Sequence, residues 1–394
     1  MNSKQGAPVM KTSTRTLSLQ GLDLAPPQTF GNVRLVPLLR REVRADLRLA
    51  RRRYDEPIGV VSRDGDLGAP GVAYASFIPH GLVVSWSEDG APAASYGASL
   101  ASGRDGAAAG RAVRLLHRMV KREAGQRLRF LPLHLAMEGF LGLCFEGPGI
   151  AWSEYSRAAL KRGLDPRAER SVRGAALPGF EDALRVFEIH ERQAGVLVFI
   201  ADALASAFVV PHPDDYRALH RSLIEDFYGE LLHRYGYLYQ ELPPASAPID
   251  AEAVRSLDDL REGLGRVRRD WADFAELLAA DALGREVRTE TVYRMSPFRL
   301  ERFIPTLRLH EENHIGETIV RDDGTTEYLK TYRLSDAQAR RAHLLQQLSA
   351  NRWDLAATAA ALAASKEELI RRLDNAGFGY LLEPDVLSAA RSPR

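Results

Sequence analysis

The sequence predicts an α+β protein: a mixed body of short strands and amphipathic helices, followed by a small all-helical unit. Three observations carry this. Short apolar runs separated by Gly, Pro and Asp recur between Val60 and Val84 and again between Ala183 and Val210, which is strand chemistry. After Pro213 the apolar residues switch to helical spacing. The stretch 335–394 holds three helical runs with capping signals and no strand pattern.

The 394 residues are enough for two or three domains. Hydrophobic residues make up 45% and charged residues 27%, which argues against wholesale disorder. A formal net charge of +1 gives no global pull toward nucleic acid or anionic membrane, so a DNA-binding surface has to be local. The single cysteine, Cys144, excludes an intramolecular disulfide and a thiolate cluster, and its apolar setting between Phe140 and Phe145 fits a small core residue. With no apolar run near membrane-spanning length and no apolar signal core, a cytoplasmic location without membrane contact is expected.

Residues 1–28 are rich in Ser, Thr, Gln and Pro and read as a disordered tail. An α+β body over 29–242 follows. Phe30–Leu39 is its first strand, with Pro37 expected at an edge or an end. Val72–Ile78 and Leu82–Trp86 are further short strands, and Ala91–Gly110 is a low-complexity loop. Ala112–Ala124 and Trp152–Arg162 have helical spacing. Ala183–Glu191 and Gly195–Ile200 read as two strands around a short turn, continued by Ala207–Val210. A helix then starts at Pro213, with a stripe of Tyr216, Leu219, Leu223, Phe227 and Leu231.

Pro243–Pro248 is the expected internal boundary. The segment 249–334 combines a charged helix, with Leu257, Leu260, Leu264, Val267, Trp271, Phe274 and Leu278 inward, and a hairpin over Ile315–Arg333 turning at Asp323–Gly324 with the type I′ signal. In 335–394, Ser335 and Gln338 form a capping box before the face Ala339, Ala342, Leu345 and Leu348. A second, Ala-rich helix runs over Asp354–Leu362. After Ala363–Ala364, Ser365 caps a third helix that buries Leu369, Ile370 and Leu373 and ends at Gly377.

Small residues on the second of these helices let the third cross it closely, as a helix-turn-helix needs. Leu344–Gly377 resembles the Fis-type helix-turn-helix in Leu362, Ser365, Leu369, Leu373 and Gly377, and departs from it at Asp354, where the family has Asn, and at Ala363, where it has the turn glycine. The resemblance implies that the third helix reads duplex DNA through Lys366, Arg371, Arg372 and Asn375. Against this, 335–394 holds eight Arg or Lys and seven Asp or Glu, a weak electrostatic footprint, so docking or homodimerisation stands beside DNA binding.

The body, in Leu133–Gly139, Trp152–Arg157, Ala183–Glu191, Ala201–Val210 and His212–Leu219, resembles the second domain type associated with ADP-ribosylglycohydrolase and rhodanese-phosphatase proteins. That resemblance implies a setting near ADP-ribose chemistry and prokaryotic conflict systems. It brings no assigned catalytic residues.

Two groups of side chains qualify as site candidates in the body. Glu188, His190, Asp202, His212, Asp214 and Asp215, with His220, gather near strand ends and a helix start, where imidazoles and carboxylates could bind a nucleotide-like ligand or move protons. The plain alternative is helix capping by Asp214 and Asp215. His310–Glu311–Glu312–Asn313–His314 matches H-E-x-x-H, which on a helix would bind zinc through His310 and His314 with Glu311 as base. Pro305 before it and a β-rich run after it oppose that helix, so no metal and no cofactor is expected. There is no phosphate loop, dinucleotide fingerprint or nucleophile elbow. The leading expectation is a regulatory or accessory protein, its body sensing a ligand or protein partner and its C-terminal unit contacting DNA or dimerising. The rivals are an enzyme or binder for an ADP-ribose-like nucleotide and an interaction scaffold.

Overall fold

The computed structural model describes residues 12–47, 187–224, 228–236 and 249–391, with short paired segments between residues 49 and 130. Its centre is a ten-stranded antiparallel sheet. The strands are β1 (Thr12–Thr16), β2 (Leu22–Leu24), β3 (Gln28–Phe30), β4 (Val33–Arg40), β5 (Gln193–Ile200), β6 (Ala203–Val209), β7 (Glu286–Met295), β8 (Phe298–Pro305), β9 (His314–Arg321) and β10 (Thr326–Arg333). Their order is β1-β7-β8-β9-β10-β6-β5-β4-β2, with β3 also on β4. With the helices that follow, the architecture is α+β as expected.

The sheet is buried on both faces. Val196 and Val198 of β5 join Phe208, Tyr328 and Tyr332 in one core, and Leu197 and Phe199 join Val209 and Leu329 in the other. Period-two alternation sends successive side chains to opposite cores, which is why β5 reads as a continuous apolar run. The first core is closed by helix α1 (Pro213–Ser222), through Tyr216 and Leu219, and by the C-terminal helices. The second is closed by α2 (Leu257–Leu283), through Ala275, Ala279 and Leu283.

Several expectations are corrected. Residues 12–28 are not a disordered tail: β1 pairs with β7 from Thr12↔Glu290 to Thr16↔Glu286, and β2 and β3 both pair with β4. The Ser and Thr that read as disorder suit an edge strand, where Ser13 Oγ meets Thr289 Oγ1 at 2.8 Å. Pro37 is in mid-strand, facing Val196 of β5. Its carbonyl accepts from Ala25 N on the other side, between β2 and β3. The missing N–H of Pro37 therefore faces the gap between two short partners and costs no ladder bond.

The apolar hairpin is β5–β6, turning at Ala201–Asp202, and Glu188–His190 precede it as irregular backbone. The β9–β10 connection is longer than a two-residue turn: Asp322–Thr325 lie between the strands, with Gly324 at φ +90°. The sheet also runs across the boundary expected at Pro243–Pro248, since β6 pairs with β10. On α2, Leu257, Leu264 and Phe274 of the expected inward stripe are exposed and Leu260, Val267, Trp271 and Leu278 only half-buried, while the buried positions are the small Ala275 and Ala279 and the terminal Leu283.

Ser95–Ala98, inside the expected loop, pairs with Leu49–Arg52. Ala112, at the start of one expected helix, is in a short strand paired with Ala75, and the rest of that helix (113–124), the expected helix over 152–162, Cys144 and Pro243–Pro248 lie outside the described residues.

Candidate functional site

The C-terminal unit is built from α3 (Asp336–Ala350), α4 (Leu355–Ala361), α5 (Lys366–Asn375) and α6 (Pro384–Arg391). Each of the first three starts on a side-chain cap. Ser335 and Gln338 form a complete capping box, Asp354 Oδ1 accepts from Ala357 N at 2.7 Å, and Ser365 Oγ accepts from Glu368 N at 3.1 Å. Asp354, a departure from the Fis pattern, thus does a cap's work as well as Asn would.

Helices α4 and α5 end in the same way. Ala364 N donates to Ala359 O and Ala363 N to Ala360 O, and after α5 Phe378 N donates to Leu373 O and Gly377 N to Asp374 O. This is the Schellman arrangement, which needs a left-handed residue at its turn. Gly377 supplies it at φ +82°, and Ala363 is held at φ +49° without a glycine's freedom.

Leu369 and Leu373 of α5 share one core with Ala359 of α4 and the α3 face, and Ile370 is buried as well. Arg371, Arg372 and Asn375 consequently stand on the outer side, exposed, and Lys366 is exposed at the helix start. Glu368 constrains the two arginines: its Oε2 lies 3.1 Å from Arg371, and its Oε1 accepts from Arg372 Nε at 2.9 Å. Glu367 and Glu368 fill the first turn and complement the helix dipole. The same two charges weaken that end as an anion site.

Beside this face a cavity of about 580 Å³ opens between α3, α5 and the loop at Leu309. Arg340, Arg341, Arg372 and Asn375 line it together with apolar Leu344 and Leu362, and among the described residues of its lining there is no carboxylate. The Arg341 guanidinium lies 5.0 Å over the Phe378 ring. His343, also on the wall, has its pKa lowered by burial, and its Nδ1 has no hydrogen-bond partner. Only Arg372 and Asn375 of this group stand out in the sequence. The signal for the rest is the run Arg340-Arg341-Ala342-His343, on a helix whose apolar face is already assigned.

The residues around α1 make mostly local contacts. His212 is the N-cap, its Nδ1 accepting from Asp214 N at 3.1 Å. Asp214 pairs with Arg217 at 3.0 Å, and Asp215 is buried in the first turn. Glu188 offers its carbonyl to Gln28, and His190 N donates to Gln193 Oε1. Asp202 is at the β5–β6 turn, 3.6 Å from buried Arg34. Buried His220 accepts at Nδ1 from Tyr216 Oη, 3.2 Å away, and donates from Nε2 to Phe187 O at 2.9 Å. Burial pushes its pKa down to about 4, outweighing the bond to Phe187.

The H-E-x-x-H run forms no helix. Residues 309–311 turn, His310 has φ +71°, and His314 opens β9. Asn313 fixes this shape: its Oδ1 accepts from Arg308 N at 3.1 Å, and its Nδ2 donates to Arg308 O and Glu311 O. Glu311 pairs with Arg285 at 3.0 Å, and buried His314 meets Glu312 at 3.9 Å. Without helical spacing, His310 and His314 lose the shared face that zinc ligation needs. Among the described residues no group of three or more His, Cys, Asp or Glu gathers to hold a metal ion.

One polar cluster escaped sequence reading. Lys330 is fully buried, with Nζ 5.9 Å from the Phe208 ring centre and 5.6 Å from that of Tyr332. Glu317 is its cross-strand partner and accepts from Tyr328 Oη at 3.1 Å. Burial drives the lysine pKa well below its ordinary value, against the pull of Glu317. The cluster marks the seam where β6 meets β10 through two register pairs only, Phe208↔Lys330 and Val209↔Leu329. Thr331 completes the junction, its Oγ1 accepting from Ala207 N and its carbonyl from Ser206 Oγ. The place of Lys330 between Tyr328 and Tyr332 on one face of the strand is the signal in the sequence.

The class these features define is an α+β protein with a wide antiparallel sheet and a C-terminal helical unit carrying a basic face beside a cation-lined cavity. The family model ARPP-2 matches residues 17–296, more than half of the chain, and the protein belongs to that family. The matched region runs from the segment before β2 through the end of β7 and stops short of the C-terminal helices. No curated protein and no solved structure matches the chain. Among the described residues no helix is long and apolar enough to cross a membrane.

Proposed function

We propose that this ARPP-2 protein is a regulatory or accessory protein whose C-terminal helices act as a helix-turn-helix of the Fis type on duplex DNA. The observation that carries the reading is the α4–α5 pair. A connection of four residues, 362–365, joins the helices, small residues bring them together, and Leu369, Ile370 and Leu373 turn inward. That burial leaves Arg371, Arg372 and Asn375 facing out, with Lys366 at the helix start. Arginine can grip phosphates or the acceptor edge of guanine, and asparagine suits adenine. The body carries this unit on its first core, and the association of ARPP-2 domains with ADP-ribose chemistry and conflict systems is the setting in which the regulation acts.

Fluorescence anisotropy of the full chain on duplex DNA across a salt series tests this. The expected result is binding that weakens with salt, with a log–log slope of about −0.9 for each phosphate neutralised. Arg371→Glu/Arg372→Glu should abolish it while the protein stays folded by circular dichroism. Absence of binding at low salt overturns the reading and leaves the helices as a docking or dimerisation module.

A further inference from the structure

The apolar stripe of α2 has a stricter period than burial against one sheet requires. Leu257, Leu260, Leu264, Val267, Trp271 and Phe274 recur at alternating intervals of three and four, the a and d positions of a heptad. Leu278 continues the repeat and is half-buried against the second core. In the same register the b, c and f positions are mostly charged, with Asp258, Glu262, Arg266, Arg269, Asp273 and Glu276 exposed around the rest of the helix. The sheet takes a neighbouring face of α2, through Ala275, Ala279 and Leu283 near its C-terminal end. Ahead of them the stripe meets solvent. Leu257 is 73% exposed, Leu264 40% and Phe274 37%, and Leu277 beside the stripe is 69% exposed. Trp271 and Phe274 meet edge to face at 5.7 Å and form its aromatic end.

A heptad seam fits a helix of the same period, because each of its side chains must enter a gap between four on the facing helix. Among the described helices α2 has 27 residues, and the next longest, α3, has 15 and spends its apolar face on the first core. The helix that matches this seam in period and length is α2 of a second copy. A two-fold axis makes such a contact self-complementary, since both chains present the same patch. From Leu257 to Phe274 the seam runs for about 27 Å. Two such faces closed on each other, with the stems of the flanking side chains, remove on the order of 1,200 Å² from water, which reaches the lower bound of stable protein interfaces. We infer that the protein is a homodimer whose two chains pack α2 against α2 along this seam. The stripe then faces an apolar interior after all, one shared between two chains, and the pair forms with or without DNA.

Sedimentation equilibrium of the full chain, without DNA, tests the seam. The expected mass is twice that of the chain, with a Kd in the micromolar range or tighter. Leu264→Glu places a charge at an exposed position in the middle of the seam, where the dimer would bury it from both sides. It should raise the dimer Kd by about a hundredfold or more. Leu257→Glu, at the most exposed of the seam positions, should act in the same direction. Arg269→Glu, on the opposite side of the helix, should leave the dimer as it is. Circular dichroism should match wild type in all three, because each position is exposed in the single chain. Where Leu264→Glu alone loses the wild-type spectrum, Leu257→Glu decides. A chain that stays monomeric at about 100 µM overturns the homodimer. A dimer that survives the Leu→Glu changes, or one that Arg269→Glu dissociates equally, overturns the seam.

Discussion

Glu368 Oε1 accepts a hydrogen bond from Arg372 Nε at 2.9 Å, one helical turn along α5. The same carboxylate holds Arg371 at 3.1 Å, so one acid restrains both arginines that are to meet DNA. Glu368→Gln should therefore strengthen DNA binding about five- to tenfold, with a salt slope steeper by about 0.9 for each additional phosphate neutralised. The loss of a favourable dipole interaction should cost a few tenths of a kcal/mol of stability at most. Unchanged affinity and slope in the anisotropy titration would count against these arginines as phosphate ligands.

The turn between α4 and α5 holds Ala363 at φ +49°, where a side chain crowds its own backbone. Ala363→Gly should raise stability by up to about 1 kcal/mol, visible as a higher Tm in a thermal melt. Ala363→Val should lower it. A glycine variant that melts below wild type would mean that the turn is not held in this conformation.

Lys330 and Glu317 are paired across β9 and β10 and both withdrawn from water. Removing one partner of such a pair leaves the other buried without compensation, at a cost of about 3–5 kcal/mol. Lys330→Met should destabilise on that scale, and Lys330→Met/Glu317→Leu should recover most of the loss. Equal urea midpoints for the single and double variants would show that the two groups are not energetically coupled.

The pKa of His220, lowered to about 4 by burial, implies a definite pH dependence. In the unfolded chain this histidine takes up its proton near its ordinary value of 6.5, and in the folded chain it does so only near 4. As pH falls through that window the unfolded state binds more protons, so the contribution is present above pH 6.5 and is lost toward pH 4. The loss is on the order of 3 kcal/mol. Urea midpoints of wild type and His220→Gln measured between these pH values should converge as pH falls. Parallel pH profiles for the two proteins would remove His220 as the cause.

Much of the secondary structure is written locally. Ser335, Asp354, Ser365 and Gly377 signal helix ends through bonds between residues a few places apart, and the C-terminal helices begin and stop where those signals stand. Ala363 stands where the Fis pattern has its turn glycine, and its backbone has the positive φ that such a turn imposes. The exposed residues of α5 are also legible, because helical spacing separates them from Leu369 and Leu373.

The sequence by itself determined what depends on near neighbours: the α+β class, the capped helices, the apolar runs, and a helix with arginines on its outer side. Only the tertiary structure decided what depends on distant partners. Thr12–Thr16 looks like a tail until β7, more than 260 residues away, supplies its ladder. Pro37 reads as an edge or end residue until the gap between β2 and β3 leaves no ladder partner for an N–H at that position. His310–His314 looks like a zinc motif until Asn313 bonds it into a turn. The cavity that gathers Arg340 with Arg372 exists only once α3 and α5 pack side by side. Hydrogen-bond partners and charge partners far apart in the chain leave no periodic trace in it, and burial against them sets which polar group is a cap, a core lysine or a cation on a cavity wall.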